Sequence, residues 1–442
     1  MRIIHTFIFI GLTICLFMSQ TDAYCKPLSI IRDTEIEQYT LKNVKKLFKA
    51  AGLNEQAARV VFIQDDSINA FVAGGSTVFI HTGLFTEADN SDQVMGVLAH
   101  ETGHVVGSHT VRLYTELQRA QTTALISTIL GGVAAIASGR GDVGVAVMAG
   151  GWGTSQGLLS SYRQSEENAA DGIAVDLVQK TGYSIKGLAQ IMAKIEQQER
   201  LRIDEMPSYL RSHPLTRDRL NFLNHAALNG LPLKDEPEFY MSKAKLYAFL
   251  NPPELTFQTY KDDSLPALYA RSIAHFKNTE IPKALKEVEK LIEQQLDNPY
   301  FWELKGQILF ETGQIKQSID AYNKAVELDP KAILIRLSLA HALIERGAET
   351  DLDQAVKHLE YITARDNYLP DAWRFLNIAY GRQGKKALAD YAAVENAFIS
   401  GRFKEALTLI PKAQEGLKND PVKTLRLSDM EEDIKRNRLK SS

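Results

Sequence analysis

The sequence has almost no cysteine, no long hydrophobic run and almost no net charge, and each absence excludes a class of protein. Only Cys15 and Cys25 occur among 442 residues, so the fold is not a disulfide-stapled scaffold. No apolar stretch reaches the roughly 20 residues that a membrane-spanning helix needs. A formal net charge of −3 argues against a surface that binds nucleic acid. The length instead predicts a globular protein of two or three domains.

The first 23 residues are typical of a secretory signal peptide. Arg2 precedes an apolar run from Phe7 to Met18, and Ala23 supplies a plausible cleavage site. An uncleaved membrane anchor is the alternative, although the run is short for a span. Cleavage would leave Cys25 as the single thiol, and the mature chain would then have no internal disulfide.

The clearest functional motif is His100-Glu101-Thr102-Gly103-His104. On a helix, residues four apart lie on one face, so the two imidazoles can bind one zinc ion. Glu101 would lie beside the metal, where its carboxylate can take a proton from a zinc-bound water. A chance occurrence in a chain of this length has odds of about one in a hundred. The alternative is a core helix that carries histidines without a metal.

A catalytic zinc needs a third protein ligand and an open position. His109 is one candidate, but it is out of register with the histidine that a metzincin would place at position 110. Glu167 is the better candidate. It lies four residues before Asp171, so Glu167 can bind zinc while Asp171 accepts the far N–H of a ligating histidine. The alternative is that both are ordinary acidic residues near a helix N-terminus.

A predicted hairpin of residues 69–81, with its turn at Gly74-Gly75, precedes the motif. If its second strand is a sheet edge, that strand would hold an extended substrate by main-chain hydrogen bonds. Such binding reads the backbone rather than the sequence, which suits unfolded chains. The alternative is a strand that is paired on both sides. The predicted substrate-binding residues are Thr77, Val78, Phe79 and Ile80.

Residues 122–161 are rich in alanine, glycine and isoleucine and almost uncharged. The two apolar halves of this segment are each too short to cross a bilayer. Two interpretations stay open: a buried helical hairpin of small residues, or a mobile or membrane-facing flap near the active site.

Beyond about Asp263 the sequence repeats with a period near 34 residues. The clearest unit, residues 299–332, has Trp302, Gly306 and Tyr322 where a tetratricopeptide helix pair needs them. Several units in register favour a stack with a concave, protein-binding surface over a generic helical bundle. The predicted organisation is a signal peptide (1–23), a catalytic domain (24–262) and an all-α repeat domain (263–442).

Four further motifs accompany the H-E-x-x-H helix. Together they resemble the HtpX/CAAX-prenyl-protease type of zinc metalloprotease. The signal peptide and repeats make the chain similar to the periplasmic branch of this family, the β-barrel assembly-enhancing proteases. The resemblance implies a mainly α protein: an α+β zincin-type domain with a small sheet, then an all-α tetratricopeptide solenoid. The motifs are Asn69-Ala70-Phe71, Thr82-Gly83-Leu84, the E-x-x-A-D run from Glu167 to Asp171, and Ser212-His213-Pro214 with Arg219.

The resemblance also assigns roles to single residues. It implies one zinc ion per chain bound by His100, His104 and Glu167, with Glu101 as general base. Asp171 would contact one of the ligands without binding the metal itself. The next two positions are open to more than one interpretation.

His213 matches a family histidine near the metal. Its imidazole could stabilise the oxyanion or fill the open zinc position, which would block the resting enzyme. It could also be a structural turn residue beside Pro214. Arg219 could stabilise transition-state charge or be a surface helix residue.

The implied activity is a zinc-dependent endopeptidase in periplasmic quality control. Its substrates would be unfolded or misassembled outer-membrane β-barrel proteins, and its repeats would contact the β-barrel assembly machinery. Peripheral contact with the outer membrane is part of this expectation, and nucleic acid is not. The second hypothesis is a non-proteolytic chaperone or assembly scaffold with a self-blocked zinc site. A prenyl-protein protease would need membrane helices that the sequence does not offer.

Overall fold

The computed structural model describes residues 29–73, 76–108, 163–201 and 213–441. Several predictions concern residues outside these ranges. They are the signal peptide (1–23), the Gly74-Gly75 turn, His109 and the alanine- and glycine-rich segment 122–161.

The N-terminal part contains a four-stranded sheet in the order β1-β2-β4-β3. Strands β2 and β4 are parallel, whereas β1–β2 and β3–β4 are antiparallel pairs. β3 therefore forms one edge of the sheet, and β4 lies inside it. The strands are β1 (Ile30–Ile31), β2 (Arg59–Ile63), β3 (Ala70–Ala73) and β4 (Thr77–His81).

The predicted substrate edge at Thr77, Val78, Phe79 and Ile80 is wrong. Each of these residues has a partner in β2 and another in β3, for example Val78 between Val60 and Val72. The hairpin itself was predicted from local sequence. Which strand of the hairpin pairs with β2 depends on a non-local contact, and the local pattern of residues does not reveal it.

The described residues of this part also form seven α-helices, of which α1, α2 and α3 contact the sheet. Asn90 caps α3, because its side chain accepts a hydrogen bond from the backbone N–H of Gln93. α3 is buried along nearly its whole length, so the H-E-x-x-H motif lies in the interior of the domain. The helices are α1 (Thr34–Ala50), α2 (Thr82–Glu87), α3 (Ser91–Val106), α4 (163–181), α5 (Ile185–Leu201), α6 (Arg217–Leu228) and α7 (Pro237–Leu250).

The C-terminal part is entirely helical in the described residues, as the repeat pattern predicts. Consecutive helices of this part pack against one another, as expected of a stack of helical repeats. At Gly306, a Cβ atom would come within 2.7 Å of the Tyr322 ring, which explains why glycine and an aromatic residue recur together in the pattern. The helices are α8 (Pro253–Thr259), α9 (Leu265–Lys277), α10 (Ile281–Gln294), α11 (Pro299–Glu311), α12 (Ile315–Leu328), α13 (Ile333–Arg346), α14 (Glu349–Thr363), α15 (Pro370–Arg382), α16 (Lys386–Ile399), α17 (Phe403–Gly416) and α18 (Pro421–Ser441).

A buried charge cluster joins the two parts. Lys245 of α7 places its Nζ atom 2.7 Å from Asp33, 3.5 Å from Glu35 and 3.5 Å from Glu303 of the repeat helix α11. Tyr269 of α9 donates a hydrogen bond to Glu35 at 2.9 Å. One lysine thus connects the start of the sheet domain to the repeats. The boundary proposed at residues 262 and 263 falls between α8 and α9 and stays a prediction.

Candidate metal centre

Two histidines and a glutamate converge at the middle of α3 and the start of α4. The Nε2 atoms of His100 and His104 are 3.1 Å apart. Oε2 of Glu167 lies 3.2 Å from Nε2 of His100, and Oε1 lies 3.4 Å from Nε2 of His104. All three side chains are buried. The three candidate ligands chosen from the sequence therefore meet at one point.

His213 joins the same cluster from the loop before α6. Its Nδ1 atom lies 3.1 Å from Oε1 of Glu167, and one ligand atom from each of the four residues lies within 4.8 Å of the others. His213 is 6% exposed, so its side chain lies inside the cluster and not on the surface.

The donor set fits a zinc ion. Zinc–nitrogen and zinc–oxygen bonds of about 2.0–2.1 Å in a tetrahedron place neighbouring ligand atoms about 3.3–3.4 Å apart. The distances among His100, His104 and Glu167, 3.1 to 3.4 Å, agree with that spacing. Imidazole and carboxylate are also ligand types that zinc prefers.

Asp171 fixes one of the histidines. Its Oδ1 atom lies 2.8 Å from Nδ1 of His100, which leaves Nε2 directed at Glu167 and His104. A carboxylate in this position selects the tautomer of the ring and strengthens Nε2 as a donor to a metal.

The electrostatics of the cluster follow from burial and from close charges. Burial by itself lowers the pKa of His100, but the carboxylates of Asp171 and Glu167 raise it to about 10. Burial by itself raises the pKa of both carboxyl groups, and hydrogen bonds with His100 in particular hold both well below their usual range. The acids are therefore anionic at neutral pH, as metal ligation and ligand orientation require.

Glu101 lies beside the four-residue cluster. Its side chain is 1% exposed, and its Oε1 atom is 3.4 Å from Nε2 of His213. Burial raises the pKa of Glu101, which suits a group that must take and return a proton near neutral pH. Contact with the backbone of Val72, in the edge strand β3, lowers the pKa of this carboxyl group.

Arg219 is buried, so its interpretation as a surface helix residue is wrong. It is 1% exposed and forms two hydrogen bonds with Asp171, of 2.7 and 3.0 Å. The same guanidinium lies 3.0 Å from Oε2 of Glu167. Because the guanidinium makes short contacts with two carboxylates, Arg219 lies next to the ligating residues and not at the atoms that would react.

The comparisons with known proteins agree with this geometry. Residues 34–227 match peptidase family M48, and residues 257–395 match a tetratricopeptide repeat family. The protein is a metalloprotease that is similar over residues 34–227 to the M48 peptidases. The M48 match implies a metal, typically zinc, and its range contains all four clustered residues. The expected enzyme class is confirmed, and so is the expected fold class, an α+β domain followed by helical repeats.

Related proteins share either the whole organisation or the M48 domain. Over 417 residues the chain is 24% identical to the beta-barrel assembly-enhancing protease of Escherichia coli K12. The match covers 91% of this chain and 84% of that protein. It is 23% identical to the mitochondrial metalloendopeptidase OMA1 of Schizosaccharomyces pombe over 205 residues, 45% of this chain and 57% of that protein. It is 32% identical to the protease HtpX of Shewanella baltica over 122 residues, 27% of this chain and 41% of that protein.

Two features of the M48 site are absent from the sequence-based prediction. The first is Gly103, where a Cβ atom would lie 2.9 Å from the carbonyl oxygen of Ala170 on α4. The second is the contact of Val72 with Glu101. A glycine inside the motif helix is a detectable signal for a close helix crossing, whereas a backbone donor has no sequence signal. In the described part of the chain, no helix is long and apolar enough to cross a membrane.

Proposed function

We propose that this metalloprotease is a zinc-dependent endopeptidase that cleaves unfolded or misassembled β-barrel proteins in the periplasm. The observation that supports the proposal most strongly is the convergence of four buried metal-ligating side chains beside the buried Glu101. A purely structural site needs no general base.

The proposed ligands are His100, His104 and Glu167, with Asp171 orienting His100. Bound zinc supplies Lewis-acid polarisation of a water molecule and of the scissile carbonyl. Glu101 takes a proton from the attacking water as the carbon–oxygen bond forms. It then delivers that proton to the leaving amine nitrogen as the peptide bond breaks.

We further propose that His213 would be a fourth ligand of the metal in the resting enzyme. The support is its burial and its contact with Glu167 on one ring nitrogen and with Glu101 on the other. A water or a substrate carbonyl would then enter only when the loop that carries His213 moves. Oxyanion stabilisation by His213 after such a movement is the competing role.

Substrate would add to the sheet along β3 rather than β4. β3 is an edge strand that packs against α3, and the backbone of Val72 in this strand contacts Glu101. A substrate strand that pairs with this edge would have its peptide bonds close to Glu101, the proposed general base. Recognition by main-chain hydrogen bonds is independent of sequence and requires an extended, unfolded client.

The cellular setting rests on the N-terminal sequence and on the relatives. A signal peptide cleaved near Ala23 would deliver the chain to the periplasm, peripheral to the outer membrane. The E. coli relative that spans the same two domains is named for β-barrel assembly. The repeat domain supports docking on other proteins, and we propose the β-barrel assembly machinery as the partner, with no role for nucleic acid.

One observation favours a second function, a scaffold that binds clients without cleaving them. Four protein side chains converge at the site, and four permanent ligands would make it structural. The two functions separate when a denatured β-barrel protein is incubated with the purified mature chain. Chelator-sensitive cleavage supports the protease. Binding without cleavage, at full metal content, supports the scaffold.

A further inference from the structure

One guanidinium contacts three parts of the site at once. Arg219 donates to both carboxylate oxygens of Asp171, lies 3.0 Å from Glu167 and donates to the carbonyl oxygen of Pro214 at 2.8 Å. Pro214 follows His213 directly in the loop. Arg219 therefore connects α4 to the loop that carries the fourth member of the cluster.

We propose that Arg219 is a positioning residue that assembles the metal site by bridging Glu167, Asp171 and the His213 loop. The inference rests on the proposed function, because it takes His100, His104, Glu167 and His213 as the metal-binding set. Arg219 touches none of the reacting atoms. It acts through the residues that it holds.

The position of Arg219 is itself fixed by the start of α6. Thr216 caps this helix, and its hydroxyl accepts a hydrogen bond from the backbone N–H of Arg219 at 3.3 Å. The side chain leaves the first turn of α6 toward α4. The geometry of a helix cap thereby sets the direction from which the guanidinium approaches both carboxylates.

The contacts require arginine rather than a cation in general. The Nε and Nη2 atoms of Arg219 face the two oxygens of Asp171, while Nη1 serves Glu167 and Pro214. A planar guanidinium presents donors in a fixed fork that matches a carboxylate on one side. A lysine ammonium is one point charge on a flexible stem and cannot hold three acceptors in this arrangement.

The bridge reaches three members of the cluster by different routes. It reaches Glu167 directly, His100 through the contact of Asp171 with Nδ1, and His213 through the carbonyl of the next residue. Loss of the bridge should leave every ligand present but let helix α4 and the loop separate. The expected consequence is a metal affinity lower by about 10- to 100-fold, as for other groups that orient ligands.

The test measures metal binding by the full mature chain as wild type, Arg219→Lys and Arg219→Gln. Zinc affinity is determined by competition with a chromophoric chelator, and the geometry of the site is read from the visible absorption of the cobalt-substituted protein. The matched control is Asp92→Ala. Asp92 is a buried carboxylate of α3 that accepts backbone hydrogen bonds from Ser184 and Lys234 and touches none of the ligands.

Both Arg219 variants should bind zinc about 10- to 100-fold more weakly with an altered cobalt spectrum, and lysine should not rescue either property. Asp92→Ala should lower the melting temperature yet keep the wild-type affinity and spectrum. If Arg219→Gln does not fold, Arg219→Lys, which keeps the charge, decides the test. Wild-type affinity and spectrum in Arg219→Lys overturn the inference and leave the proposed function intact. Failure of the wild-type chain to bind zinc overturns both.

Discussion

Gly103 of α3 and Ala170 of α4 lie so close together that a methyl group on Gly103 would push apart the two helices that carry the metal site. A Cβ atom at Gly103 would be 2.9 Å from the carbonyl oxygen of Ala170 and 3.0 Å from its Cα atom. Both contacts are with backbone, which cannot rotate away. The missing side chain therefore lets α4 lie against the motif helix at the point where Glu167 and Asp171 reach the histidines.

Gly103→Ala should push α4 away from α3 and lower zinc affinity by at least about tenfold, because Glu167 and Asp171 move with α4. The measurement is chelator competition on the purified chain. Gly172→Ala is the matched control, since Gly172 lies on α4 beside Asp171 and a Cβ atom there meets nothing within 4 Å. Equal affinities in the two variants would show that the close crossing does not set the ligand geometry.

His213→Ala should change both the cobalt spectrum and the rate of cleavage. If His213 occupies the fourth position at rest, its removal opens that position, so basal cleavage of an unfolded protein should rise. His225→Ala, an exposed histidine of α6, is the control and should behave as wild type. A lower rate with an unchanged spectrum would favour an oxyanion role, and no change in either property would contradict any role at the metal.

Val72→Pro should reduce kcat/KM for an unfolded protein by about tenfold or more. Proline removes the backbone N–H of Val72, whose contact with Glu101 favours the charged carboxylate. That N–H points away from β4, so the sheet should keep its pairing. Val72→Ala retains the N–H and should keep near wild-type activity. A proline variant as active as the alanine variant would exclude β3 from catalysis.

Glu35 should make the folded protein less stable as pH rises through neutrality. Burial raises the pKa of Glu35 to about 7, against an opposing effect of Lys245, and Asp33 and Glu303 raise it further while Tyr269 lowers it. A folded-state pKa above the unfolded value of 4.5 means that the folded protein holds the proton more tightly. The resulting stabilisation is complete below pH 4.5 and is lost as pH rises through about 7.

Glu35→Gln should therefore flatten this pH dependence and raise the melting temperature at pH 8 more than at pH 5.5. Lys245 retains Asp33 and Glu303 as partners in this variant. Glu238→Gln removes a 59% exposed carboxylate and serves as the control with a wild-type pH profile. A Glu35→Gln profile that parallels the wild-type profile would contradict the assignment.

Local patterns in the sequence were sufficient for the motif helix and for the repeats. The spacing of His100 and His104 follows from helix geometry, and the small and aromatic residues at Gly306 and Tyr322 identify a helix pair. Both inferences depend on residues that are near one another in the chain. The choice of Glu167 and Asp171 depended on their chemistry, and the distances among the ligands became known only from the fold.

Non-local contacts account for what the sequence could not predict. The place of β4 inside the sheet depends on its pairing with β2 rather than on the hairpin that contains it. Arg219 is chemically suited to bind charge, but its partners come from α4, about fifty residues away in sequence. The contact of Val72 with Glu101 involves a backbone N–H, which any residue except proline would provide.

The most direct test of a zinc peptidase measures metal content and cleavage together. The mature chain and Glu101→Gln are purified, assayed for zinc, and incubated with an unfolded protein with and without chelator. The structure predicts one zinc per chain in both, with chelator-sensitive cleavage in the wild type and a loss of about 10²- to 10⁴-fold in the variant. A wild-type chain that binds no zinc, or a Glu101→Gln chain that cleaves at the wild-type rate, would contradict the assignment of the site.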